Sequence, residues 1–210
     1  MHRIGLTGGI AAGKSVVSRR LQELGAVVID HDDLAREAVA PGTPGLAAVA
    51  AEFGSDVLNP DGSLRRAVLG ELIFGDPNAR HRLETILHPA IERLAAARQA
   101  AAVAENPDVM VVHDVPLLIE TGQTHLYDLV VVVHAPEELR YRRLVEERGM
   151  SPADARARLA AQASDAVHED AADWLLDGSK DEDNLRRQAS AMWTRLQRAR
   201  PVPPTYPGLR

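Results

Sequence analysis

The chain of 210 residues is long enough for one α/β domain with an insertion, or at most two small domains. Hydrophobic residues at 45% and charged residues at 26% make an ordinary globular balance that argues against a disordered chain, and aromatics at 3% leave Ala, Leu and Val to fill the core. A net charge of −6 lacks the basic surplus of a nucleic-acid binder; the absence of cysteine excludes a disulfide framework or a cysteine zinc site and fits a reducing cytoplasm.

The opening Met1-His2-Arg3-Ile4-Gly5-Leu6 runs straight into a strand and a glycine loop, unlike a signal peptide. The longest apolar runs, such as Leu129 to Val133, are too short to span a bilayer, so no membrane partner is expected. Arg3 to Thr7 predicts a buried strand, Gly8 to Ser15 a glycine-rich turn, and Lys14 to Leu24 a helix with Val17, Leu21 and Leu24 on one face. Gly25 ends that helix, and Val27 to Ile29 forms a second strand closed by Asp30. This strand-loop-helix-strand unit opens a parallel sheet.

From Asp32 to about Asn106 the pattern is helical, broken by turn signals at Pro41-Gly42, Phe53-Gly54, Asn59-Pro60-Asp61-Gly62 and Asp76-Pro77. Such an insertion between parallel strands is a natural site for a second substrate. Val109 to Val112 and Leu129 to Val133 are β-branched runs expected of strands covered on both faces. A helix follows over Pro136 to Glu147, and another starts at Ser151-Pro152. Trp174 to Leu176 is a short last strand, Asp183 to about Arg198 a closing helix, and Pro201 to Pro207 a loose tail.

Gly8-Gly9-Ile10-Ala11-Ala12-Gly13-Lys14-Ser15 fits the pattern G-x-x-x-x-G-K-[ST]. Small residues let backbone N–H groups surround phosphate oxygens, and the following helix points its positive end at them. Lys14 reaches the β- and γ-phosphates, Ser15 offers a hydroxyl to Mg²⁺, and the Val16 N–H is placed for the α-phosphate. The motif follows a strand and opens a helix, which is the context that gives it meaning. A nucleotide and Mg²⁺ are therefore expected here, with ATP the nucleotide on the kinase reading that follows.

The cradle does not by itself name a reaction. No asparagine is followed by lysine, so the guanine-reading Asn-Lys-x-Asp motif of a GTPase is absent. A small-molecule kinase needs a group to orient the acceptor hydroxyl, an acceptor site and an arginine-bearing lid. Asp30-His31-Asp32-Asp33 lies past the second strand, where carboxyl ends of parallel strands face ligand. Asp32 is the candidate base, while Asp32 or Asp33 would equally serve as a helix N-cap. His113-Asp114 ends the third strand, where the acid would help hold Mg²⁺ or simply make a turn. Arg140, Arg142, Arg143 and Arg148 suit phosphate, or alternatively pair with nearby glutamates on a solvated face. His88-Pro89, taken alone, carries no functional meaning.

In order along the chain stand Thr7-Gly8-Gly9-Ile10, Gly13-Lys14-Ser15, Asp30-His31-Asp32, Ala35-Arg36, Phe53-Gly54 and Asp61-Gly62. His88-Pro89, Pro116-Leu117-Leu118 with Glu120, Arg143-Leu144, Ala161-Gln162 and Ala172-Asp173 follow. In this order and spacing they resemble the dephospho-CoA kinases from Ile4 to about Trp193. The resemblance implies an α/β P-loop NTPase fold, with a parallel sheet flanked by helices, and a single domain over about 1–205. Its core would be 1–31, 107–135 and 172–200, its CoA-binding insertion about 32–106 and its lid about 136–171.

It further implies that ATP phosphorylates the 3′-hydroxyl of dephospho-CoA in the cytoplasm. Lys14, Asp32 and Arg140 would be catalytic, with Asp32 the base and Ser15 the metal ligand. Arg140, Arg143 and Arg148 would serve the lid. Asp32, His88, Leu117 and Glu120 would line or support the acceptor site, and Gly8, Gly9, Ala11, Ala12, Gly13, Lys14, Ser15 and Val16 would hold the nucleotide.

Ala12 and Val16 replace the Ser and Thr common in the family loop, with little expected loss because backbone groups do the cradling. Asp177-Gly178-Ser179-Lys180 stands where the family often has Asp-Asn-x-Gly, near the adenine, leaving the choice between ATP and GTP open. Arg148 sits one residue off the commonest spacing. Another small P-loop kinase is the alternative, and a nucleotide-binding switch a more distant one.

Overall fold

The computed structural model describes residues 3–199; the opening Met1-His2 and the expected tail from Pro201 to Pro207 lie outside them. Strand β1 (Arg3–Gly8) runs into the glycine loop, which opens helix α1 (Lys14–Glu23). Strand β2 (Val27–Asp30) passes without a loop into α2 (His31–Ala38). Then come α3 (Pro44–Phe53), α4 (Arg66–Ile73) and the long α5 (Pro77–Glu105). Strands β3 (Val111–Asp114) and β4 (Leu129–His134) follow, then α6 (Glu137–Arg142), which continues as a π-turn over Arg143–Glu147. Helices α7 (Pro152–Ala160) and α8 (Asp165–Asp170), strand β5 (Trp174–Asp177) and helix α9 (Glu182–Arg198) complete the chain.

The five strands form one parallel sheet in the order β2-β3-β1-β4-β5. All five carboxyl ends therefore lie along one edge, where Gly8, Asp30, Asp114, His134 and Asp177 are the terminal residues. The β-branched runs of β3 and β4 are buried because helices cover both faces. On one face Ile4, Leu6, Val131 and Val133 pack with Val17 and Leu21 of α1 and Leu185, Ala189, Met192 and Trp193 of α9. On the β2–β3 side, Ile29 and Val111 meet Leu34 of α2 and Ala95 of α5.

The helical stretch builds a further cluster from Val39, Leu46, Val49, Val57 and Leu69. Its breaks fall at the expected turns: Thr43 and Asp76 cap α3 and α5 through their side chains, each with proline in the first helical turn. Pro89 sits inside α5, where it removes one intrahelical donor without ending the helix. The last cluster joins Ala11 of the glycine loop to Leu144, Ala155 and Leu159, so α7 and the π-turn pack directly on that loop. No described helix is long and apolar enough to cross a membrane.

The third strand begins two residues later than the sequence suggests, at Val111 rather than Val109. Strand pairing decides this, because β1 and β2 offer partners only from Val111 onward. The shift brings His113 and Asp114 inside the strand, both buried.

Candidate active site

The glycine loop turns tightly, with the Ala12 N–H bonded to the Gly9 carbonyl at 3.0 Å and Val16 N–H to Gly13 at 2.9 Å. Ala11 holds φ at 61°, a left-handed conformation that residues with side chains rarely take. Its methyl is tucked into the cluster with Leu144 and Leu159, which holds it there. Gly9 has no room for a side chain, since a Cβ would stand 2.6 Å from Arg140 Nη1. The arginine thus lies against the cradle.

Lys14 is ion-paired with Asp114. Burial pushes the Asp114 carboxyl up, and the Lys14 ammonium and the Ser18 hydroxyl act against that. Asp30 is the register partner of Asp114 on β2, and its charge adds to the upward push. Two carboxylates and the exposed Ser15 hydroxyl therefore gather beside the loop. These are hard oxygen donors of the kind Mg²⁺ takes together with phosphate oxygens, so the residues present fit that ion.

Asp30, and neither Asp32 nor Asp33, caps α2: its Oδ1 accepts from the N–H groups of Asp32 at 2.8 Å and Asp33 at 3.1 Å. The helix starts at His31, two residues earlier than an Asp32 cap would place it, because β2 leads straight into it. Asp32 is left exposed, its carboxylate free of capping duty. Asp33 instead pairs with Arg36 at 2.5 Å.

Asp32 lines a cavity of about 490 Å³ between α2, α5 and the loop after β3. His88 and Leu117 line it too, together with His31, Arg80, Glu84 and Pro116. A second cavity of about 300 Å³ shares Asp32, Ala35, Ile73 and Leu87 with the first and carries Arg36 and Arg66. Glu120 does not line either. It turns toward α8, where Oε1 accepts from Ala163 N–H at 3.2 Å and lies 3.4 Å from His168 Nε2. Burial works against ionisation of Glu120, but the His168 ring and the backbone donors outweigh it and hold its carboxyl low. It lies behind the loop that carries Pro116 and Leu117, because the chain after Pro116 turns it away from the cavity.

The arginines divide by position. Arg140 is buried, with Nε bonded to the Ala135 carbonyl at 2.9 Å and Nη2 to Asp165 Oδ1 at 2.6 Å. Arg143 bonds backbone carbonyls, Nη1 to Ala11 at 3.0 Å and Nη2 to Gly178 at 2.8 Å. It pins the glycine loop to the loop after β5, which occupies its fork. Arg142 is 4.0 Å from Glu146, and the exposed Arg148 makes no ion pair among the described residues. Gly178 packs so closely that a Cβ would stand 2.0 Å from the Ala12 carbonyl, and its N–H bonds the His134 carbonyl at 2.7 Å.

Two sets of contacts escaped the sequence. Gln162 and Asp165 reach Arg140 across 22 and 25 residues, and only packing of α7 on the loop brings them near. A buried chain runs from His31 Nε2 to His113 Nδ1 at 3.0 Å, and from His113 Nε2 to Gln99 Oε1 at 2.8 Å. Burial lowers the His113 pKa to about 3 and lowers that of His31, so both rings are neutral near pH 7. The Gln99 oxygen can only accept, so His113 carries its proton on Nε2 and accepts from His31. No sequence spacing marks a contact between residues 82 apart.

A dephospho-CoA kinase family model matches residues 2–184. A dephospho-CoA kinase from Leifsonia xyli is 49% identical over 197 residues, covering 94% of this chain and 100% of its own. One from Streptomyces avermitilis is 52% identical over 93% of this chain and 94% of its own. A Thermus thermophilus protein of known structure superposes with a TM-score of 0.79 at 30% identity, covering 93% of this chain and 99% of its own.

Proposed function

The chain belongs to the dephospho-CoA kinase family, and from that premise we propose how its residues move the γ-phosphoryl group of ATP onto dephospho-CoA. The enzyme is an ATP-dependent phosphotransferase that acts on an alcohol group, the 3′-hydroxyl of dephospho-CoA, and yields coenzyme A. The observation that carries the residue roles is the placement of Asp32. It stands free at the acceptor cavity, while its N–H rests on Asp30, the register partner of the Asp114 that pairs with Lys14.

In this reading the backbone of Gly8 to Val16 holds the phosphates. Lys14 leaves Asp114 for the β- and γ-phosphates and balances their charge. Asp114 and the Ser15 hydroxyl would hold Mg²⁺, which would supply positive charge to offset the charge developing on the transferring group. Asp32 orients the acceptor hydroxyl and accepts its proton late in the transfer. Arg140, already against Gly9, offers its guanidinium to the transferring oxygens without having to travel there. The helical stretch 32–106 serves as the acceptor-binding part, with His88 and Leu117 on the cavity wall, and 136–171 serves as the lid. Arg143 acts structurally within it, and the exposed Arg148 makes no ion pair among the described residues, which leaves it able to meet phosphate.

The test is ADP release from Mg·ATP with and without dephospho-CoA, with the product's phosphate located by NMR. Release that depends on dephospho-CoA and gives the 3′-phosphate is expected. Folded, ATP-binding protein with no stimulation by dephospho-CoA would remove the acceptor assignment.

A further inference from the structure

The connection between α7 and α8 touches both substrate regions at once. Gln162 Oε1 accepts from the Ile10 N–H of the glycine loop at 2.8 Å and stands 3.4 Å from Arg140 Nη1. The next residue, Ala163, gives its N–H to Glu120, which closes the loop whose Pro116 and Leu117 line the acceptor cavity. One short segment thus connects the nucleotide loop, the buried arginine and the acceptor loop.

The hydrogen bonds of Arg140 make Gln162 more than a spacer. A guanidinium has a fixed fork of donors, so its acceptors decide where its charge points. Nε is held by Ala135 and Nη2 by Asp165, both away from the loop. Nη1 is the arm that lies against Gly9, and its acceptor is Gln162. Asp165 already faces the charge once. A second carboxylate at position 162 would neutralise the arginine and repel incoming phosphate, whereas an amide oxygen fixes the arm and leaves its charge available.

We propose that Gln162 is a positioning residue, whose side-chain oxygen holds Arg140 against the glycine loop while the adjoining Ala163–Glu120 contact ties that placement to the acceptor loop. The assignment rests on the kinase reading above and adds to it a residue that acts through Arg140.

A double-mutant cycle tests it, with Gln162→Met and Gln162→Glu made in the parent enzyme and in Arg140→Lys. Gln162→Met is expected to lower kcat about tenfold with the KM for ATP within about twofold, because the arm is lost in the transition state and not in ground-state binding. In Arg140→Lys, which has no Nη1, the same change is expected to cost less than about twofold. Equal losses in both backgrounds would overturn the proposal. Gln162→Glu keeps both hydrogen bonds, so it should melt no lower than the parent and still turn over more slowly. A stable Gln162→Glu enzyme with full kcat would also overturn it, and this arm stands if Gln162→Met fails to fold. Failure of the kinase reading appears in the parent, as absence of dephospho-CoA-dependent ADP release; failure of the Gln162 assignment appears only in the variants.

Discussion

Asp32 owes its freedom to a neighbour. With Asp30 as the cap, α2 begins without the Asp32 side chain, and a carboxylate at the second turn position stays open to the cavity. Asp32→Asn keeps the shape and removes the base, so kcat should fall by about 10² to 10⁴ while ATP affinity measured by titration barely changes. Near-parental turnover of that variant would reassign the base. The buried histidines give a second expectation. In the unfolded chain the His113 ring takes a proton as pH falls through about 6.5; in the folded protein it does so only near 3. Across that window the unfolded state binds more protons, so stability falls with pH, by about 2 kcal/mol between pH 7 and pH 5 for this group. His31 acts in the same direction. Urea unfolding at the two pH values should show the loss, and His113→Gln should flatten it; an equal slope in that variant would place its cause elsewhere. Lys14 and Ser15 were marked as candidates by the loop motif, and Asp32 by its place past a strand end, where the sequence left base and helix cap both open until the family resemblance favoured the base. The contacts of the histidine chain and of Gln162 were not legible, because the partners are distant in sequence and meet only through packing.

At the scale of elements, the loop after β5 shows how an apparent departure acquires a reason. Gly178 stands where a polar side chain is common in the family, yet here its Cα lies against the Ala12 carbonyl, with Arg143 bridging the two loops. Gly178→Ala must push the glycine loop aside, because both the obstructing atom and the loop are backbone. The KM for ATP should rise by about tenfold or more, with a lower melting temperature, equivalent to about 1–3 kcal/mol of overpacking. An unchanged KM would mean that the two loops move independently. The π-turn after α6 is a similar case. The sequence predicts one helix over Pro136 to Glu147, and the structure keeps that span helical but widens its second half over Arg143–Glu147. Helix periodicity cannot foresee such a change of pitch, which is common at functional sites.

Across the whole molecule, the sheet core, the helical stretch and residues 136–171 each have an apolar cluster, but none is separate. Leu34 and Ala95 of the helical stretch pack on Ile29 and Val111 of the sheet, and Ala11 of the glycine loop belongs to the cluster of Leu144, Ala155 and Leu159. Such sharing predicts one cooperative unfolding transition. Both tryptophans, Trp174 and Trp193, belong to the sheet core, whereas much of the helix lies in residues 32–106. Fluorescence and far-UV circular dichroism should therefore report coincident urea midpoints; an earlier dichroism transition would show the helical stretch unfolding by itself. The sequence by itself determined the parallel sheet, the glycine-loop pattern and the helical stretch, because each depends on local periodicity or on residues adjacent in the chain, and it determined the family through short motifs in a set order. Only the tertiary structure decided which acid caps and which stays free, that Arg140 is seated against Gly9, that Arg143 is engaged by backbone carbonyls, and that Glu120 faces Ala163 and His168. Those outcomes depend on strand order and close approach between distant segments, and no spacing along the chain encodes a distance across it.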